Sequence, residues 1–238
     1  MIWMMMLQRL DGRGTLASTV DQLVLGQFDS LLSQCKRVRE RKIAPSTGGY
    51  CQARQNLPKM LLDRSVDEIL QRLRNHLKRM PLLERPVNVL DGSGLQLDNC
   101  PELKQAYPPA RNPRRPSHWP VLRVVVLHDV ETGLAQQPAW GTMYGPQAVS
   151  EQLLAQQALD APPPGAALIG DRNFGIFAPA RSAHQKGHQV VIRMTSQRAK
   201  RLLGAAIDRQ GDYPVEWKAS PLEHANMQNG PPMPSPGG

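Results

Sequence analysis

Apolar and polar positions divide the chain into two regimes of periodicity. In the first eighty residues the apolar positions recur at helical spacing. Val20, Leu23, Leu25, Phe28, Leu31 and Leu32 mark one helix across Leu16 to Cys35, and Val66, Ile69, Leu70, Leu73, Leu77 and Met80 mark another. Ser65 with Glu68 three residues on reads as a capping box at the start of that second helix. MIWMMML at the N-terminus and Tyr50 to Leu57, stopped by Pro58, add two shorter helices. From Val87 the pattern becomes short apolar runs bounded by turns. Val87 to Leu90 reads as a buried strand ending on Asp91. Gly92-Ser93-Gly94 reads as a turn, and Leu95 to Leu97 and Val121 to Val130 as two further strands of an antiparallel meander. Then come a helix from Ser150 to Leu159, a strand from Ala166 to Gly170 that delivers Asp171, a helix from Ile176 to Lys186, and a strand from Gln189 to Arg193. This order predicts an α/β protein with a mixed sheet and helices on both faces, its first and fourth strands parallel neighbours.

That topology gives Asp91 and Asp171, eighty residues apart, a shared position. Open α/β sheets build their sites at the C-terminal ends of parallel strands. Two convergent carboxylates offer the oxygen ligands that Mg²⁺ prefers, with Mn²⁺ as its substitute. Either aspartate alone is also a good turn former, so the pairing carries the argument. Gly92-Ser93-Gly94 is half of a dinucleotide fingerprint, but Leu97 stands where the third glycine would be. An aspartyl-phosphate enzyme would carry a second Asp where Ser93 stands. His184 and His188 have helical spacing for zinc but no third ligand, and Gly187 is placed to end the helix between them.

The charge balance adds a partner. With 238 residues and a net charge of +9, the sequence pI is near 9.9, which favours a polyanion, nucleic acid first. Aromatics are only 5% of the chain, so phosphate contacts are expected to outweigh base stacking. Five cations lie between Lys36 and Lys42, on either a solvated helix end or a phosphate-contacting face. Arg72, Arg74, Lys78 and Arg79 line the outer side of the second long helix. Arg111, Arg114 and Arg115 sit in a Pro- and Arg-rich loop from Ala106 to Pro120, Arg172 follows Asp171, and Arg193 ends its strand, where it either reaches a phosphate or is a solvated edge residue. Cys35, Cys51 and Cys100 are scattered and odd in number, which suits a reducing cytoplasm and no disulfide framework. The apolar N-terminus is too short to span a membrane. Beyond Leu203 the pattern fades; 212–218 could form one more strand, and 229–238 is expected to be a disordered tail.

Six segments occur in an order that resembles DDE transposases of insertion-sequence family four. They are STGGYCQARQNLP (Ser46 to Pro58), NVLDGSGLQL (Asn88 to Leu97), PVLRVVVLHDVETG (Pro120 to Gly133), SEQLL (Ser150 to Leu154), IGDRNFG (Ile169 to Gly175) and VVIRM (Val190 to Met194). The likeness runs from about Cys35 to Lys218. It implies a ribonuclease-H-like mixed sheet flanked by helices (87–203), incomplete at its C-terminus, after a helical, basic DNA-binding domain (1–80) and before the start of an inserted β segment (204–228). It implies a DNA transposase that uses Mg²⁺ for phosphodiester hydrolysis and strand transfer at insertion-sequence ends. The partner would be double-stranded DNA carrying terminal inverted repeats, with a homodimer on the DNA as one assembly, in the bacterial cytoplasm at the nucleoid. Asp91 and Asp171 would be its first two catalytic acids and metal ligands; by charge and position, Arg54, Arg111, Arg114, Arg115, Arg172 and Arg193 are the expected DNA contacts. Tyr50, Gln52 and Arg54 match the family's N-terminal signature, which is equally a packed helix. The family's third acid, a glutamate in a Tyr, Arg, Glu, Lys signature, is not reproduced after Asp171, since Glu216 and Glu223 have other neighbours. The expectation is therefore a truncated or frameshifted copy, inactive or weakly active alone, or else a non-catalytic DNA-binding fragment that interferes with a full-length enzyme.

Overall fold

The computed structural model describes residues 1–10, 12, 14–77, 84–111, 117–204, 211 and 213–221, and the chain divides into two compact units, Met1–Leu73 and Arg74–Gly238. The first unit is helical: α1 (Ile2–Leu10), α2 (Leu16–Val24), α3 (Lys36–Arg39), α4 (Gly48–Gln55) and α5, which begins in this unit and spans Lys59–His76. Its core gathers Met4, Val20, Leu23, Val38 and Tyr50. Thr15 caps α2 by accepting from the Ser18 amide. The helix predicted to reach Cys35 stops at Leu25, because Gly26 adopts φ +79° and the chain beyond it turns. Ser65 is likewise no cap. It lies inside α5 with its hydroxyl donating to the Leu61 carbonyl, and the helix starts just after Pro58. Met80, Lys78 and Arg79 lie outside the described residues.

The second unit holds β1 (Val87–Gln96), α6 (Pro101–Ala106), β2 (Val121–Asp129), β3 (Ala139–Thr142), α7 (Glu151–Ala158), β4 (Ala167–Gly170), α8 (Phe177–Gln185), β5 (Gln189–Ile192) and α9 (Ser196–Leu203). The strands form one mixed sheet in the order β3-β2-β1-β4-β5. β1 is antiparallel to β2 and parallel to β4, and β4 is parallel to β5. This is an α/β fold with a five-stranded mixed sheet flanked by helices.

The strand count matches the sequence reading, but two members differ. Gly92-Ser93-Gly94 makes no turn: β1 runs straight through it for ten residues, pairing Gly92 with Val125 and Gly94 with Arg123. Leu95 and Gln96 therefore continue the first strand, and the missing third strand is β3, which pairs with β2 through Val125↔Ala139 and Val124↔Trp140. A run of small residues is compatible with either extended or turned backbone, and the long ladder with β2 decides for extension. The 213–218 stretch is not a strand among the described residues.

Leu90, Val125, Leu127, Leu168 and Phe174 meet Leu154, Ala155, Ala158 and Leu159 of the α7 segment and Ala183 of α8 in the core. Both helices share that face. On the other face, Val89, Ile169 and Val191 stand side by side in register on β1, β4 and the edge strand β5 and are exposed, so among the described residues the expected cover on both faces is not seen at these positions. One polar side chain, Asn88, is fully buried in β1 with neither amide atom hydrogen-bonded among the described residues.

Candidate functional site

The register of β1 and β4 sets the position of the two acids. The parallel ladder ends at Leu90↔Gly170, so the next residue of each segment is an aspartate. Asp91 lies within β1, its Oδ1 accepting the Gly92 amide at 3.0 Å. Asp171 opens the turn after β4, and its Oδ1 accepts the Asn173 amide at 2.8 Å. Both residues are exposed. Neither Oδ2 has a hydrogen bond or ion pair with the described residues, so each carboxylate keeps an oxygen for a ligand.

The Asp171 turn is held from several sides. Phe174, 1% exposed, anchors it in the core. Gln152 of α7 donates to the Asn173 carbonyl at 3.2 Å. From α9, Arg198 Nη1 donates to the carbonyls of both Arg172 and Gly175, each at 3.1 Å. Thr195 caps α9 by accepting the Arg198 amide, which fixes the root of that side chain. Gly175 needs its missing side chain, because a Cβ there would lie 2.8 Å from the Arg193 carbonyl oxygen.

Glu151 joins this neighbourhood from α7. It is the first residue of α7, after Ser150, whose Oγ accepts the Leu153 amide. Its carboxylate lies against Gly92, where a Cβ would fall 1.7 Å from Oε1. Burial raises its pKa above the ordinary glutamate value; Arg123 opposes that shift, and the charges of Asp171 and Asp91 add to it. Arg123 is itself placed by donating to the Val149 carbonyl at 3.0 Å. The sequence signal was there in part: a glutamate at a capped helix start, and a side-chain-free residue directly after Asp91.

The other residues proposed from sequence separate into groups. Arg172 is exposed next to Asp171. Arg193, also exposed, follows β5, and its amide donates to the Gly170 carbonyl at 3.1 Å, so both arginines flank the end of β4. Arg54 belongs to the helical unit, its guanidinium 5.9 Å from the ring centroid of Tyr50. Tyr50 is buried and donates its hydroxyl to Gln8 Oε1 at 3.2 Å, which is the packed-helix arrangement of that signature. Arg111 is exposed, with no ion pair to a described residue; Arg114 and Arg115 lie outside the described residues. His184 and His188 do not form a zinc site. Gly187 at φ +78° separates them, His184 is exposed, and the buried His188 bonds the Leu159 carbonyl through Nε2.

Among the described residues, no three His, Cys, Asp or Glu side chains form a group that could hold a metal by themselves. Glu151 feels the two aspartates without closing such a group around them. The donor set nevertheless fits a hard cation, since Mg²⁺ is commonly held by one or two carboxylates with waters and substrate phosphates completing its shell. No helix among the described residues is long and apolar enough to cross a membrane. The chain matches no protein-family model, no curated protein and no solved structure.

Proposed function

We propose that this chain derives from a DDE-type DNA transposase with a ribonuclease-H-like core, and that it acts on the phosphodiester backbone of double-stranded DNA at insertion-sequence ends. The single observation that carries the reading is the β1–β4 ladder, which ends one residue before Asp91 in one strand and one residue before Asp171 in the other. The strand order, with the antiparallel hairpin on one side of β1 and the parallel pair on the other, is compatible with that core.

Asp91 and Asp171 would hold Mg²⁺, or Mn²⁺ in its place, through their uncommitted oxygens. The bound ion would supply activation of the attacking oxygen and stabilisation of the leaving one. The chain's own groups do the rest. Arg172 and Arg193 set positive charge at the end of β4 to receive a phosphate. Arg198, Gln152 and Phe174 keep the Asp171 carboxylate at a fixed place by holding its turn. Glu151, with Arg123 beside it, limits the room over Gly92 and adds negative charge next to the two aspartates, which strengthens the attraction for a cation.

A second reading has its own support. With no complete group of three ligands among the described residues, the chain by itself is a DNA-binding fragment that interferes with a complete enzyme. Both readings require DNA binding and differ in cutting.

The test is to titrate the purified chain with Mn²⁺ by paramagnetic resonance, and to follow DNA binding and cleavage in the same preparation. Asp91→Asn and Asp171→Asn are each expected to weaken Mn²⁺ binding by about tenfold or more. The unaltered chain is expected to bind DNA and to cut it poorly. Absence of cation binding removes the metal site. Vigorous cleavage that Asp91→Asn abolishes overturns the need for a further acid, and no affinity for DNA at low salt overturns both readings.

A further inference from the structure

A cavity opens beside the same turn. It encloses about 460 Å³ between the Asp171 turn, α9 and residues 217–220, with Gly175, Arg198, Arg201, Trp217 and Lys218 in its wall. Arg198 and Arg201 project from successive turns of α9. Arg198 gives one nitrogen to the two turn carbonyls, which leaves its charge without an ion pair among the described residues and other guanidinium N–H groups for a ligand. Arg201 is exposed and has no ion pair with a described residue. Lys218 pairs with Glu216 at 3.1 Å, but both side chains are about three-quarters exposed (76% and 78%), so an incoming anion can displace that carboxylate at little cost. Trp217, half-buried, makes an edge contact with Phe177 and gives the wall rigidity on that side.

Three cations facing one cavity, with one weakly held carboxylate nearby among the described residues, are suited to a doubly or singly charged oxyanion. We infer that this cavity seats a backbone phosphate of a DNA strand whose neighbouring phosphodiester lies at Asp91 and Asp171. The inference rests on the proposed function for the identity of the strand, and on the cavity for its placement. Gly175 links the two, since it closes the turn that Asp171 opens and also lines the cavity. Arg198 then serves both places: one edge of its guanidinium holds the turn, and the charge of the same group faces the phosphate.

The experiment uses the full chain and a fluorescent double-stranded oligonucleotide, with inorganic phosphate as competitor. Arg201→Ala and Lys218→Ala are each expected to weaken binding several-fold and to reduce the slope of log affinity against log salt by ~0.7 to 1. Lys200→Ala removes the same charge from the same helix outside the cavity wall and is expected to change the affinity less than twofold. Binding is expected to alter the tryptophan fluorescence, and Trp217→Phe to abolish that change while leaving the affinity within twofold. If the unaltered chain binds the oligonucleotide but the Arg201 and Lys218 variants match it, or Lys200→Ala weakens it equally, the cavity inference is overturned and the proposed function stands. If inorganic phosphate alone alters the Trp217 signal and the oligonucleotide does not bind, the cavity serves a small anion, and the strand placement and the DNA reading both fall.

Discussion

Two glycines near the aspartates give opposite expectations at the scale of single residues. At Gly92 the obstacle to a side chain is the far end of Glu151, which can swing away, whereas at Gly175 it is the Arg193 carbonyl, part of the backbone that follows β5. Gly92→Ala is expected to shift stability by less than about 1 kcal/mol, and Gly175→Ala to destabilise by about 1–3 kcal/mol, both read by urea denaturation. Equal costs would contradict the contacts described. Glu151 also makes a pH prediction. Burial raises its folded pKa, so the native state binds this proton more tightly than the unfolded chain. The penalty is absent below the unfolded pKa, grows as pH rises through the raised folded value, and is constant above it. Glu151→Gln removes it, so the variant should gain on the parent chain across that window; a stability difference flat with pH would refute the burial of this carboxylate. Asp91 and Asp171 were legible because each follows an apolar run. Glu151 was legible only as a glutamate at a capped helix start; its place beside the aspartates was not, because its neighbour Gly92 lies far away in the chain and only folding brings the two together.

Elements were legible where one pattern excluded the alternatives. β2 announces itself by the branched apolar run from Val124 to Leu127, and α7 by a serine cap before a helical stripe. The Gly-Ser-Gly run in β1 was misread because local preference there is weak, and hydrogen bonding to β2, unknown in advance, outweighs it. β3 was missed because its four residues, Ala139–Thr142, carry almost no apolar alternation of their own. The central strands make their own prediction. Leu127, fully buried between α7 and the sheet, should cost about 2–5 kcal/mol on replacement by Ala. Asn88→Leu should do the reverse and stabilise the chain by about 1 kcal/mol, because it removes a buried amide without partners among the described residues. Denaturant midpoints for both variants test this; an Asn88→Leu variant much less stable than its parent would mean that the amide is satisfied after all.

For the whole molecule, the net charge of +9 is the property that reaches furthest. If DNA is the partner, log affinity must fall linearly as log salt rises, with a slope set by the number of phosphates neutralised. An affinity that is the same in dilute and concentrated salt would leave the charge without that use. The pairing of β1 with β4 adds a consequence for how the aspartate pair comes into being. Side chains in a strand alternate between faces, so slipping one strand by a single position would turn one acid away from the other and remove the pair outright. The acids have no halfway arrangement. Any cation affinity they share should persist undiminished as urea is added and then disappear at the same concentration at which the sheet itself melts.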